Sequence, residues 1–437
     1  MSHPEAPPAG ASGTRTEVFA WAMYDWANSA YSTILITIFY QYLTTQVFDE
    51  KDAWGSTLYA WGIALSMLTA AVLSPLLGAV ADANSSKRRW LALTALGGAL
   101  AATCVALVPT SAAWLVVLLF VVMSLMFELS LGFYNGFLPE IADERTMNRV
   151  SAWGYALGYL GGAMALILAL LVRVFGDRLG LPAPAAQLRA GIAIMGLWWG
   201  LFTVPTLWVL RDRGRPPDRK KPLAAATRSA IREVGRTLAN VRRYRMLALF
   251  LLGFLFYNDG IQTVLSQASV FATKTPELSF STEELALLIL VIQFAALPGA
   301  ILVGFLADRL GQKPVLMSCL AVWVGLLVAA YFVNNKEQFW ALGGVLALVM
   351  GGTQSVSRAI MGHMTPPEHT AEFFGFFNLS GKATSFMGAF LFGAIFKATG
   401  DPRAAIASLL IFFFVGLLLV ALVNVGQGRR GALEAQG

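Results

Sequence analysis

Twelve stretches of this 437-residue chain stay apolar for roughly 20 residues or more, the length a helix needs to cross a bilayer core. They are 18–47, 56–80, 90–108, 112–135, 150–175, 188–210, 245–271, 284–307, 314–333, 339–362, 373–396 and 404–425. In lipid the backbone must satisfy its own hydrogen bonds, so runs of this length are predicted to be helices. Charged residues make up 13% of the chain and hydrophobic ones 57%. Soluble domains carry about 25% charged residues. So few charges cannot cover one water-soluble core without leaving large apolar patches. The expected fold class is therefore an all-α membrane protein with twelve spans. Pro75, Pro205 and Pro298 lie inside runs, where membrane bundles accommodate kinks.

The charges between the runs set the organisation. Residues 1–17 are rich in Pro, Ala and Gly, lack the basic start of a secretory signal, and are expected to be a disordered cytoplasmic arm. Residues 18–210 and 245–425 form two six-span bundles, and 426–437 a cytoplasmic tail. One set of loops holds Lys87, Arg88, Arg89, Arg145, Arg149, Arg309 and Lys313, and the tail adds Arg429 and Arg430. The positive-inside rule places that set, and both termini, in the cytoplasm of a cell with this protein in its inner membrane. The longest loop, 211–244, starts Pro-rich and basic. It continues with Ile231, Val234, Leu238 and Val241 on one helical stripe and Arg228, Arg232 and Arg242 elsewhere around it. That pattern fits an amphipathic helix on the lipid surface or a solvated linker helix.

Several chemistries are disfavoured. Cys104 and Cys319 sit in separate apolar runs, and His3, His363 and His369 form no ligand spacing; the two later histidines are expected in a polar loop. No Gly-rich phosphate loop ends in Gly-Lys-Ser/Thr. No cofactor, metal or catalytic residue is expected, nor a nucleic-acid partner. The glycines Gly154, Gly158 and Gly162 recur every four residues and read as a close-packing face.

The two halves repeat one another. "GAVADANSSK" (78–87) follows span 2 and "GFLADRLGQK" (304–313) follows span 8. Gly78, Asp82 and Lys87 match Gly304, Asp308 and Lys313, with Arg309 added in the second copy. "LPEIADE" (138–144) and "PPEHTAE" (366–372) pair in the same way after spans 4 and 10. Internal repeats of this kind suit alternating access, in which one bundle rocks against the other. "GFLADRLGQK" resembles the loop motif of the major facilitator superfamily. The resemblance implies that its Asp and bases hold the cytoplasmic side closed. The first copy departs from it, with Ala83 and Ser85 where the family has Arg and Gly. "YDWANSAYSTILITIFY", "FYNGFLPEIADERTMNRVSAWGYALGYLGG", "FYNDGIQTV" and "EFFGFFNLSGKATSFMGAFLFG" are together similar to the vacuole-effluxer-like branch of that superfamily. For fungal members the resemblance implies amino-acid efflux from vacuoles.

Ionisable groups at bilayer depth are costly and normally face a cavity or a partner. Asp25 (span 1), Glu128 (span 4), Asp259 (span 7), Arg358 (inner end of span 10) and Lys382 (span 11) are such groups. Asn28 and Ser32 share the helical face of Asp25, Gln262 that of Asp259, Gln354 that of Arg358, and Asn378 that of Lys382. Asn135 and Asn258 complete the candidate substrate or proton pathway. Spans 1, 4, 7 and 10 line the cavity in the family this chain resembles. Three roles are open to Asp25: binding a cationic substrate group, carrying a coupling proton, or pairing with Arg358 or Lys382.

The expected function is secondary active transport of a small organic solute, with amino-acid efflux as the specific candidate, coupled to protons. The protein is expected to act as a monomer in the bilayer. A lipid flippase-like transporter, a membrane-embedded enzyme and a receptor on the same scaffold are the alternatives.

Overall fold

The computed structural model describes residues 13–48, 54–213, 223–239, 243–382 and 387–434. All regular elements among them are helical. The N-terminal half contains α1 (Arg15–Ile34), α2 (Tyr40–Tyr42), α3 (Trp54–Ala83), α4 (Lys87–Leu107), α5 (Ala113–Asn135), α6 (Leu138–Ile141), α7 (Met147–Val174) and α8 (Pro184–Val209). The connecting segment holds α9 (Leu223–Ala239). The C-terminal half contains α10 (Arg245–Lys274), α11 (Thr282–Leu310), α12 (Gln312–Tyr331), α13 (Lys336–Met364), α14 (Thr370–Lys382), α15 (Met387–Thr399), α16 (Pro402–Ser408), α17 (Leu410–Leu422) and α18 (Val425–Glu434).

Ten helices among the described residues are long and apolar enough to cross a bilayer. The other two predicted spans are not among those ten. In span 1, α1 gives way to wide π-helical turns at Leu35–Phe39 and Leu43–Val47, flanking α2. Its polar residues also dilute its hydropathy. Span 11 is carried by two 13-residue pieces, α14 and α15, with residues 383–386 outside the described residues.

Each half has its own core. Trp21, Tyr31, Phe120, Tyr134 and Trp199 pack in one, and Phe250, Tyr257, Trp323, Phe374 and Phe413 in the other. Glycine brings α1 and α7 together. A Cβ on Gly158 would lie 2.9 Å from Ser29 Oγ, one on Gly161 2.4 Å from the Trp26 carbonyl oxygen, and one on Gly162 2.6 Å from Thr33 Oγ1. Only hydrogen at these positions allows so close an approach.

The halves meet at the end of the bundle that carries both described chain ends. There Gly13 N–H donates to Ile141 O, and Arg429 reaches Glu144 at 3.1 Å and the His363 carbonyl. We call this the terminal face. His363 ends α13 instead of lying in a loop, and its Nδ1 is 2.6 Å from Gln312 Nε2. His369 faces Glu372 at 3.5 Å. Both histidines are held by neighbours because the 364–370 turn is pressed between the halves.

The connecting helix α9 rests on protein. Ala230 is buried against Ala79 and Val80 of α3, with Val234 and Trp90 beside it. Ile231, placed on the apolar stripe by periodicity, is exposed, as are Arg228 and Arg232. The contacting face is therefore turned to the Ala230 and Val234 side of the expected stripe, away from Ile231. Leu238 has no described side chain, and Val241 and Arg242 lie outside the described residues.

Candidate functional site

Asp25 lies three turns into α1, buried, and its Oδ2 accepts from Arg358 Nη1 at 3.0 Å. The pair joins α1 in the first half to α13 in the second. Removing two charges from water is expensive unless their remaining hydrogen-bond capacity is filled. Here it largely is. Tyr134 O–H donates to Asp25 Oδ2 at 2.8 Å. Arg358 donates from Nε to Ser151 Oγ at 2.9 Å, from Nη2 to Ser151 O at 2.7 Å, and from Nη1 to Asn135 Oδ1 at 3.3 Å. Ser151 Oγ in turn donates to Ser355 O at 2.7 Å, a further bond between the halves.

Aromatic faces complete the enclosure. The guanidinium carbon stands 4.1 Å from the Tyr155 ring centre, 4.8 Å from that of Trp21 and 5.6 Å from that of Tyr134. The ring quadrupoles add attraction for the cation in a desolvated setting. Trp21 stacks on Tyr134 at 4.6 Å and donates its indole N–H to the Tyr134 carbonyl. Gly154 makes the room: a Cβ there would sit 2.5 Å from Asp25 Oδ2 and 2.7 Å from Arg358 Nη2.

The hydroxyl of Tyr134 is the support most easily removed. Tyr134→Phe should lower stability by about 1.5–3 kcal/mol, the range for hydrogen bonds to charged groups, with the fold kept. Thermal unfolding of the purified variant checks this, and an unchanged midpoint shows that Asp25 does not depend on the bond.

Of the predicted pathway residues, the structure brings Asp25, Asn135 and Arg358 together. Gln354, one turn before Arg358, accepts from Tyr159 O–H at 2.9 Å across the halves. Asn28 is buried with its Nδ2 unpartnered, as is Nδ2 of the partly buried Asn378. Ser32 is exposed and donates to Ser29 O. Glu128 is buried on α5. Asn258 and Asp259 both hold span 11. Asn258 Nδ2 donates to Gly381 O at 2.9 Å, and Asp259 Oδ2 accepts from Gly388 N–H at 2.8 Å. Gln262 is half-buried one turn on. The side chain of Lys382 lies outside what is described.

Sequence reading missed Trp21, Tyr134, Ser151 and Tyr155 as partners of Arg358. Tyr134 and Tyr155 do lie in the "FYNGFLPE…SAWGYALGYLGG" segment, and Tyr134 adjoins Asn135.

The gating-loop residues meet at the terminal face. Asp82 accepts from the backbone N–H groups of Ala371 and Glu372 at 3.2 and 3.0 Å, in the first turn of α14. Lys87 bonds to Glu140, donates to Thr370 Oγ1 at 2.7 Å, and lies 3.8 Å from Asp82. Asp308 accepts from Asn148 Nδ2 at 3.0 Å and pairs with Arg149 at 3.4 Å, in the first turn of α7. A Cβ on Gly78 would strike the Ala371 carbonyl at 2.4 Å, and one on Gly304 the Ala152 Cβ at 2.4 Å. Arg309 lies over the Phe305 ring at 4.2 Å, and Lys313 donates to the Ala421 carbonyl at 2.6 Å. Asp212, beside this network, has its carboxyl pushed above the ordinary range by burial.

Two helical halves joined through buried charges and helix ends define a major facilitator transporter. Solved structures agree on the fold. The proton:xylose symporter XylE aligns with a TM-score of 0.73 at 14% identity, over 96% of this chain and 98% of that one. The transporter FucP, in the outward conformation, aligns with a TM-score of 0.68 at 12% identity, over 94% and 98%. Within that class the chain belongs to the family described as vacuole effluxer Atg22 like, whose model matches residues 52–433. The uncharacterized MFS-type transporter YxiO of Bacillus subtilis is 32% identical over 92% of this chain and 94% of its own length. Autophagy-related protein 22-1 of Penicillium rubens is 29% identical over 66% of this chain, and the match spans about half of the fungal protein (51%). The chain is thus a multi-pass membrane transporter and not an enzyme.

Proposed function

We propose that this chain moves a small zwitterionic solute of the amino-acid type out across the cytoplasmic membrane, coupled to protons, by alternating access. The observation that carries this reading is the Asp25–Arg358 pair. Its carboxylate belongs to one half and its guanidinium to the other, so the two satisfy each other while the terminal face is closed. When the halves part at that face, both charges lose their partner. A solute with an ammonium and a carboxylate supplies the missing charge to each. A neutral sugar or an apolar solute does not. Asn28, Asn135, Gln262, Gln354 and Asn378 offer amide contacts along the same pathway, and Glu128, Asp259 and Lys382 are its remaining charges. The name of the matched family model favours efflux. The bias of basic residues toward its loops supports a cytoplasmic terminal face, and each half has a core of its own, which suits a monomer.

The test is counterflow in proteoliposomes loaded in turn with each of the common amino acids. Wild-type protein should exchange at least one of them. Asp25→Asn should weaken that exchange about 10–100-fold, the equivalent of one hydrogen bond to a charged group. Exchange of no zwitterion, or an unchanged rate in Asp25→Asn, overturns the reading.

A further inference from the structure

Asp259 is buried in the second half with no cation beside it among the described residues, whereas Asp25 has one. Its Oδ2 accepts from Gly388 N–H, but its Oδ1 has no hydrogen-bond partner. The hydroxyl of Thr263, one turn further along α10, is also buried and unpartnered. Both side chains are about 1% exposed. A Cβ on Gly388 would lie 2.3 Å from Thr263 Oγ1 and 3.2 Å from Asp259 Oδ2, so the two flank the same glycine. An ionised carboxylate with an empty oxygen lobe in so dry a place is disfavoured, and a bound cation or proton relieves it.

No charged side chain described around it supplies that relief. On α13, Arg358 is committed to Asp25, Ser151 and Asn135. On α16, Arg403 is bound to Glu277. On α15, Lys397 lies more than two turns beyond Gly388, and α17 carries no titratable residue. On α14, Glu372 sits at the terminal face, and Lys382 has no described side chain. On α18, Arg429 pairs with Glu144. On α10 itself, Tyr257 is bound to Ser357 at 2.6 Å.

An approach route is present. Asp259, Gln262 and Ser266 share one face of α10 and pass from buried through half-buried to exposed. The adjacent Asn258 and Asp259 also both bond to span 11, Asn258 donating to the Gly381 carbonyl and Asp259 accepting from the Gly388 amide.

We infer that Asp259 and Thr263 form the site where the transport cycle binds and releases its coupling cation, a proton. Protonation forms an O–H bond at Asp259 Oδ1 and neutralises a carboxylate that no described cation balances. It also weakens the hydrogen bond that Asp259 Oδ2 accepts from Gly388 N–H. Deprotonation returns the proton along the Gln262–Ser266 face. Cation binding is thereby linked to the fit of span 11 against α10. This rests on the coupled-transport reading above but has its own readout.

The experiment is infrared difference spectroscopy of the purified full chain, titrated from about pH 5 to about pH 9. It needs no substrate. A carbonyl band of a buried protonated carboxylic acid should titrate in wild type and in Asp25→Asn. It should vanish in Asp259→Asn and shift in frequency in Thr263→Val. The same four proteins are melted in sodium chloride and in choline chloride. A band that persists in Asp259→Asn, or is absent from wild type, overturns the inference. A sodium-specific gain in melting temperature that Asp259→Asn abolishes also overturns it, in favour of a sodium site. Failure of every counterflow assay with the band intact counts against the transport reading alone. Loss of the band in Lys382→Gln overturns the assignment by showing that lysine to be the controlling charge.

Discussion

Arg358→Ala should destabilise the protein by about 3–5 kcal/mol, the range for removing one member of a buried ion pair. The loss exceeds that for an exposed pair because the partner left behind cannot be rehydrated. Asp25 would keep Tyr134 as its only described donor, among the faces of Trp21, Tyr134 and Tyr155. Ser151 would lose two donors and Asn135 one. Melting of the purified variant should show the largest drop of any single change at this site. The double change Asp25→Asn with Arg358→Gln should recover most of the lost stability, since two neutral amides strand no charge. Transport should stay abolished in it. Additive losses in the double variant would show that the two residues do not act as a pair.

The extent to which this arrangement is legible in sequence differs between its parts. Apolar runs near 20 residues specify spans because lipid leaves the backbone no other partner, and ten of the twelve are continuous apolar helices. Span 1, the run richest in polar residues, is not among them, and span 11 is described only on either side of residues 383–386. In span 1 the π-helical turns at Leu35–Phe39 and Leu43–Val47 follow from packing, for no residue type there demands a wider turn. Asp25 stands out by its cost at bilayer depth, and Arg358 is one of only two basic residues available to answer it. The contact itself joins residues more than 300 positions apart, a pairing that local periodicity does not encode. Tyr134, Tyr155 and Trp21 look like ordinary core aromatics until the guanidinium is placed among them. The rotation of α9 onto Ala230 has the same origin. A tertiary surface made by Ala79 and Val80 outweighs the more hydrophobic Ile231 stripe.

The pseudo-symmetry gives the terminal face its logic. The loop after span 2 docks Asp82 on the start of α14, and the loop after span 8 docks Asp308 on the start of α7. Each carboxylate thus meets the first turn of a helix from the opposite half, where free amides and the helix dipole favour an anion. In the second copy Arg149 adds an ion pair. The first copy has no arginine at position 83, and it uses a buried lysine instead. Lys87 sits between Asp82 and Glu140 and reaches Thr370 of the other half. The helix α9 braces this copy alone, through Thr237 O–H to Glu372 at 2.8 Å.

The second large effect is therefore expected at Lys87. Lys87→Met should leave Asp82 and Glu140 facing one another in a dry contact, a loss of about 3–5 kcal/mol borne by the closed terminal face. Opening that face lets water reach both carboxylates, so the open arrangement does not carry the same loss. Population arithmetic then predicts a shift of more than about 100-fold toward opening. Ala359 offers a reporter. It lies on α13 yet is fully buried among first-half residues, so it is shielded only while the halves are together at this end. With Cys104 and Cys319 replaced by serine and Ala359 by cysteine, a membrane-impermeant maleimide should label the Lys87→Met protein far faster than its parent. Lys87→Arg should stay slow, and Glu140→Gln added to Lys87→Met should restore part of the protection. Equal labelling of all four would mean that the buried lysine does not govern closure and that the backbone packing of Gly78 against Ala371 does.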